Sequence, residues 1–186
     1  MIYFSVRSCL ISFFVLVFLL FVGSSNKVVE VNAICKQAKN PSFCLSLLNS
    51  KPGGATHATL IDLAQYTIGV LRANVTITIK YINLLIAHSG TDRKAINHYK
   101  SCLTHFSYNE GALGDVENTQ KCLRSGDYNG VNVAASAVMT DVEDCISGES
   151  PSNPSYHDPS MLPKYADVVK QIAQIILILS NFLIRN

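Results

Sequence analysis

The sequence predicts an all-α fold: an up-down-up-down four-helix bundle with an N-terminal helical hairpin extension and two disulfides. Three observations carry that reading. Apolar residues recur at three–four spacing through four long stretches of the chain. The connections between them are mostly short, which favours antiparallel neighbours. Cys102 and Cys145 flank two of these stretches, split by the polar turn Ser125-Gly126-Asp127-Tyr128-Asn129-Gly130. Both cysteines therefore lie near the far ends of a helical pair, where a disulfide could join them.

Not all of the 186 residues belong to that bundle. Met1 to Val22 carries one charge, Arg7, followed by the apolar run Cys9 to Val22 and then Gly23-Ser24-Ser25. This is the layout of a secretory signal peptide, and the run is shorter than the roughly 20 apolar residues a membrane span needs. The leader is read as residues 1–25, with small residues allowing cleavage after Ser24, Ser25 or Ala33. Residues 34–186 form the single mature domain. Net charge is +2, from 15 basic and 13 acidic residues, and no basic run in the mature part exceeds two. Nucleic acid is thereby disfavoured as a partner, as is a membrane surface once the leader is gone. Loss of Cys9 with the leader leaves Cys35, Cys44, Cys102, Cys122 and Cys145. In an oxidising compartment four can pair and one is left over. Asn74-Val75-Thr76 is a glycosylation sequon, consistent with secretion.

The elements follow in order. Ile34 to Lys39 makes one or two helical turns, broken at Asn40-Pro41, because proline disfavours helix just before itself and can open the next helix. Ser42 to Leu48 is the second arm, and a Cys35–Cys44 bond would close the hairpin. Lys51-Pro52-Gly53-Gly54 is a linker by composition. From Ala58 to about His88 the spacing is helical. The β-branched run Val75 to Ile79 would also suit a strand, but apolar spacing continues on both sides without a turn signal. Ser89-Gly90 stops that helix, and Thr91 or Asp92 can cap the next. The next helix runs to Leu123, weakened by Gly111 and Gly114, so a bend or loop is expected near Asn109 to Gly114. Asp127 can cap the third long helix, which ends at Cys145. Ser147 to Ser160 reads as a long loop. A last helix from Met161 or Pro163 to about Leu183 is apolar nearly all round in its second half, which marks a buried helix.

Chemistry is sparse. His98, Cys102 and His105 share a helical face and could offer a metal two imidazoles and a thiolate. No further ligands accompany them, so a bonded Cys102 with surface histidines is the favoured reading, and no metal or other cofactor is expected. Cys122 has no evident base beside it and reads as a half-buried free thiol. Asp141, Glu143 and Asp144 crowd a helix C-terminus, where the helix dipole disfavours negative charge. They are either a solvated face or a polar contact surface. Phosphate loop, zinc pair and nucleophile elbow are all lacking, which disfavours an enzyme and favours a binding protein.

Ile34-Cys35, Asn40-Pro41-Ser42-Phe43-Cys44, Cys102, Ser125-Gly126-Asp127-Tyr128-Asn129, Asn132, Ser136-Ala137 and Cys145, in this order and spacing, resemble the plant invertase and pectin methylesterase inhibitor family. The resemblance implies the same bundle and hairpin, Cys35 paired with Cys44 and Cys102 with Cys145, secretion to the cell wall, and no catalysis. Within the family, invertase inhibitors carry Pro-Lys-Phe directly after the Gly-Asp of the inter-helix turn. Here Tyr128-Asn129-Gly130 follows Gly126-Asp127, which is similar to the pectin methylesterase inhibitors. Pro163-Lys164-Tyr165 is a partial echo in another helix. The implied partner is a plant pectin methylesterase, with acid invertase the alternative, and the implied mechanism is occlusion of the pectin-binding cleft. Asp127 and Asn132 match the family's contact pattern; Ser101 and Asp144 stand at contact positions beside the Cys102 staple. Glu110 is a further carry-over, displaced by about three extra residues between Cys102 and the turn. Ser147 stands where an acidic residue is often found.

Overall fold

The computed structural model of the protein describes residues 30–147 and 156–185. The leader and its cleavage points after Ser24 and Ser25 lie outside the described residues, as does much of the Ser147–Ser160 loop. Seven helices lie among the described residues: α1 (Val31–Cys35), α2 (Pro41–Asn49), α3 (Leu60–His88), α4 (Arg93–Phe106), α5 (Ala112–Ser125), α6 (Tyr128–Ser147) and α7 (Leu162–Arg185).

Each start is written in local chemistry. Asn40 Oδ1 accepts from the Phe43 N–H at 3.2 Å, and Pro41 takes the first helical position, where its missing N–H costs nothing. Thr59 and Asp62 form a reciprocal capping box on α3, with N···O distances of 3.1 and 2.9 Å. Asp92 Oδ1 accepts from the Lys94 and Ala95 N–H groups at 3.0 and 3.1 Å. The β-branched run stays helical within α3. Thr76 and Thr78 donate their hydroxyls to the carbonyls of Arg72 and Asn74, each at 2.8 Å, so neither is left unpaired inside the helix.

The expected weak point between Cys102 and Leu123 is a full break. Ser107 leaves α4 in extended conformation, and α5 begins only after Gly111. Both glycines are required by close approach of backbone. A Cβ on Gly111 would overlap the His105 carbonyl oxygen, and one on Gly114 would overlap that of Tyr108. The loop is closed by Gly114 N–H to Ser107 O at 3.4 Å and by Glu110 N–H to Ser107 Oγ at 3.4 Å.

In the bundle, α6 packs between α5 and α7, α3 packs against α7, and α4 and α5 share the remaining position. The hairpin of α1 and α2 adjoins α7 and α3 at one end. It is held there by Lys39 N–H to Gln174 Oε1 and Asn40 Nδ2 to Gln171 Oε1, both at 3.0 Å. One apolar core joins all seven helices, from Ile34 and Leu48 through Leu71, Phe106 and Val138 to Ile176. By length and apolarity α3 and α7 could each cross a membrane. In α7, however, Ile172, Ile175, Ile176 and Leu179 are no more than 1% exposed inside the bundle, which accounts for its apolar second half.

Two disulfides are formed, Cys35–Cys44 and Cys102–Cys145, with sequence separations of 9 and 43. Loop-closure entropy assigns the first about 2.5 kcal/mol and the second about 4 kcal/mol.

Candidate functional site

The α5–α6 turn comes first, because it carries the motif. Gly126 adopts φ 74° and ends α5. The Asp127 N–H then reaches back to the Cys122 carbonyl at 2.9 Å, closing a left-handed glycine cap. Asp127 is exposed, and its Oδ1 accepts from the Gly130 N–H at 2.8 Å, so it caps α6 as expected. Asn132, half-buried one turn on, turns toward α7. Its Nδ2 donates to Ser180 Oγ at 3.0 Å and to Asn181 Oδ1 at 3.2 Å. Both motif residues therefore hold the fold with the atoms that a partner would otherwise meet. Pro163-Lys164-Tyr165 lies in the first turn of α7, at the opposite end of the bundle from this turn.

The staple end of α6 is different in kind. Ser101 is exposed beside Cys102, and Asp144 is half-buried beside Cys145. One turn before Asp144, Asp141 faces Asp115 from the first turn of α5. Asp141 Oδ2 is buried, and the Asp115 carboxyl can bond Asp141 only when one of the two is protonated. Burial, then the neighbouring Asp115 carboxyl, push Asp141 up to about 7; burial raises Asp115 as well. Two carboxyls in contact cannot both ionise cheaply, so the pair shares a proton across the α5–α6 seam. Glu143, on the neighbouring face, pairs with Lys170 of α7. Of the three acidic residues at this end, Asp141 turns to α5, Glu143 turns to α7, and Asp144 is half-buried. Glu110 is exposed on the loop between α4 and α5.

The histidines are not on the surface, contrary to the expectation. Only 10% of the His98 side chain is exposed, and His105 is buried. The reason lies in the chain just before α7, which folds over α4. Tyr156 packs its ring 4.7 Å from that of His98, and Asp158 accepts from the Tyr99 hydroxyl at 2.8 Å while standing 3.7 Å from His98 Nε2. Burial lowers the His98 imidazole below its ordinary value, with Asp158 opposing. No cluster of potential metal ligands occurs among the described residues. Cys122 is a half-buried free thiol, and Asn74 sits within α3, its Nδ2 bonded to the Val70 carbonyl at 2.8 Å.

Asp115, Tyr108 and Asp158 were not singled out by the sequence. An acidic residue near the start of α5 and an aromatic between polar residues were the available signals, and both needed the break at Ser107 to acquire meaning.

The sequence pattern of plant invertase/pectin methylesterase inhibitors matches residues 29–179. The chain belongs to the plant invertase/pectin methylesterase inhibitor family. Among its relatives, "Pectinesterase inhibitor 1" of Arabidopsis thaliana is 32% identical over 173 residues, covering 92% of this chain and 93% of the relative. "Pectinesterase inhibitor" of Actinidia deliciosa is 31% identical over 154 residues, covering 82% and 78%. A crystal structure of a mutant form of an Arabidopsis pectin methylesterase inhibitor superposes with a TM-score of 0.68 at 30% identity, over 82% of this chain and 95% of that one. The family's bundle and both disulfides are therefore present here, as the resemblance implied.

Proposed function

We propose that the mature domain is a secreted, non-catalytic inhibitor of plant pectin methylesterase that blocks the pectin-binding cleft by docking as a preformed block. The observation that carries the reading is near-full-length similarity to relatives named as pectinesterase inhibitors, combined with Tyr128-Asn129-Gly130 where invertase inhibitors carry Pro-Lys-Phe. Shape supports it. Two disulfides and a continuous core leave little to order on binding, which lowers the entropic cost of an interface. The contact set would run along α4 to α6 through Ser101, Glu110, Asp127, Asn132 and Asp144. Secretion to the cell wall rests on the apolar leader, and Asn74 would carry the glycan. The test is direct: the purified mature domain is assayed against one plant pectin methylesterase and one acid invertase. Stoichiometric inhibition of the esterase with the invertase untouched is expected; inhibition of the invertase alone would overturn the reading.

A further inference from the structure

The chain between the Cys102 staple and Asp115 is longer than the bundle can use. Thirteen residues separate Cys102 from Asp115, whereas their partners on α6, Cys145 and Asp141, are four apart. A continuous helix of that length would climb about 20 Å, and α6 offers about 6 Å. The excess has to leave the bundle sideways, and it does so at Ser107 to Gly111. Tyr108, Asn109 and Glu110 are exposed there, and Tyr108 keeps 62% of its surface exposed, the highest of any Phe or Tyr among the described residues.

Three features distinguish this protrusion from an ordinary surface loop. It is held in one shape, because Gly111 and Gly114 lie against the carbonyls of His105 and Tyr108 and Ser107 bonds across to Glu110 and Gly114. It presents a large amphipathic ring that contributes nothing to the core, at a cost in exposed apolar surface. It also follows directly on α4, which carries Ser101, and it contains Glu110, another residue of the proposed contact set.

We propose that the Ser107–Gly111 protrusion is a specificity element of the target-facing surface, and that Tyr108 docks on the protein surface beside the esterase cleft. This rests on the proposed function and on continuity with Ser101 and Glu110 of its contact set. Tyrosine suits the role: two rotatable bonds, a large contact area and a polar tip make it a frequent interface anchor. A target whose rim offers no apolar recess there would be held less tightly, so the protrusion selects among esterases.

The experiment compares wild type, Tyr108→Ala and Tyr108→Phe against a panel of purified plant pectin methylesterases, by inhibition assay and by biosensor kinetics. The alanine variant is expected to raise the dissociation constant of the best-inhibited esterase by about tenfold or more, mainly through faster dissociation. Its melting temperature should not move, and the phenylalanine variant should keep most of the affinity. An alanine variant that inhibits every esterase as wild type does overturns this inference and leaves the proposed function standing. Wild type that inhibits no esterase in the panel overturns both.

Discussion

At the turn end of α6, Asp127 and Asn132 use their polar atoms inside the protein, one on a helix cap and one on α7. At the staple end, Asp141 faces another carboxyl, and the two are reconciled only by a proton held between them. The first end carries the recognisable motif, and its chemistry is satisfied at home. The second carries no motif, and its chemistry is satisfied only while that proton is held. A motif residue thus need not be poised for a partner, since Asn132 serves the α6–α7 contact whether or not a target is present. The proton-dependent end is where electrostatics remain available to respond to solvent or to a docked surface.

The largest separation between the two ends comes from cutting the covalent tie at one of them. Replacing Cys102 and Cys145 together by alanine should cost about 4 kcal/mol, read from urea unfolding of the purified domain, against about 2.5 kcal/mol for Cys35 with Cys44. Loss of the smaller loop exceeding loss of the larger would mean that the hairpin, not the staple, governs the bundle. Next in size is Gly114→Ala. Its new methyl group meets a backbone carbonyl with no side chain to yield, so about 2–3 kcal/mol should be lost, while Gly69→Ala, which meets open space, should be neutral or slightly stabilising. Asn132→Ala follows at about 1–2 kcal/mol, since the buried Ser180 hydroxyl loses a donor, and Asp127→Ala at about 1 kcal/mol through its cap. Any loss of inhibition in these two variants has to be measured well below their unfolding temperatures, because both weaken the fold.

Helices and staples were legible because both are local or nearly so. Three–four spacing placed α3 and α7 to within about two residues at most ends, and Asn40-Pro41 marked the start of α2. The pairing of α5 with α6 across the Ser125–Gly130 turn was legible; the stagger between α4 and α6 was not, because it depends on how much chain the Ser107–Gly111 loop consumes. Glycines at 111 and 114 signalled weakness but not its extent. The burial of His98 was out of reach for a similar reason: the residues that cover it, Tyr156 and Asp158, are more than fifty positions away at the end of a long loop. Polar residues that look free in a local pattern, Asn132 above all, find partners that only the tertiary fold supplies.

The smallest effect is the one that best tells the two ends apart, because it appears only when pH changes. Asp141 has a folded value of about 7 against an ordinary value of 3.8, so the folded protein holds a proton that the unfolded chain releases. The stability this contributes is complete below pH 4 and is lost as pH rises through about 7. His98 works in the opposite sense. Its lowered folded value means that its stability is complete above 6.5 and declines as pH falls. Below 6.5 the two contributions oppose each other, and above it that of Asp141 alone remains, so unfolding midpoints measured from pH 4 to 8 should show an alkaline slope, a fall as pH rises to about 7. Asp141→Asn, which keeps the shape and removes the titrating group, should remove the alkaline slope, and His98→Gln, which removes the opposing contribution, should steepen the fall below 6.5. An alkaline slope that persists in Asp141→Asn would show that the carboxyl pair is not its source, and the contrast between the two ends of α6 would then lie in geometry without a proton to report it.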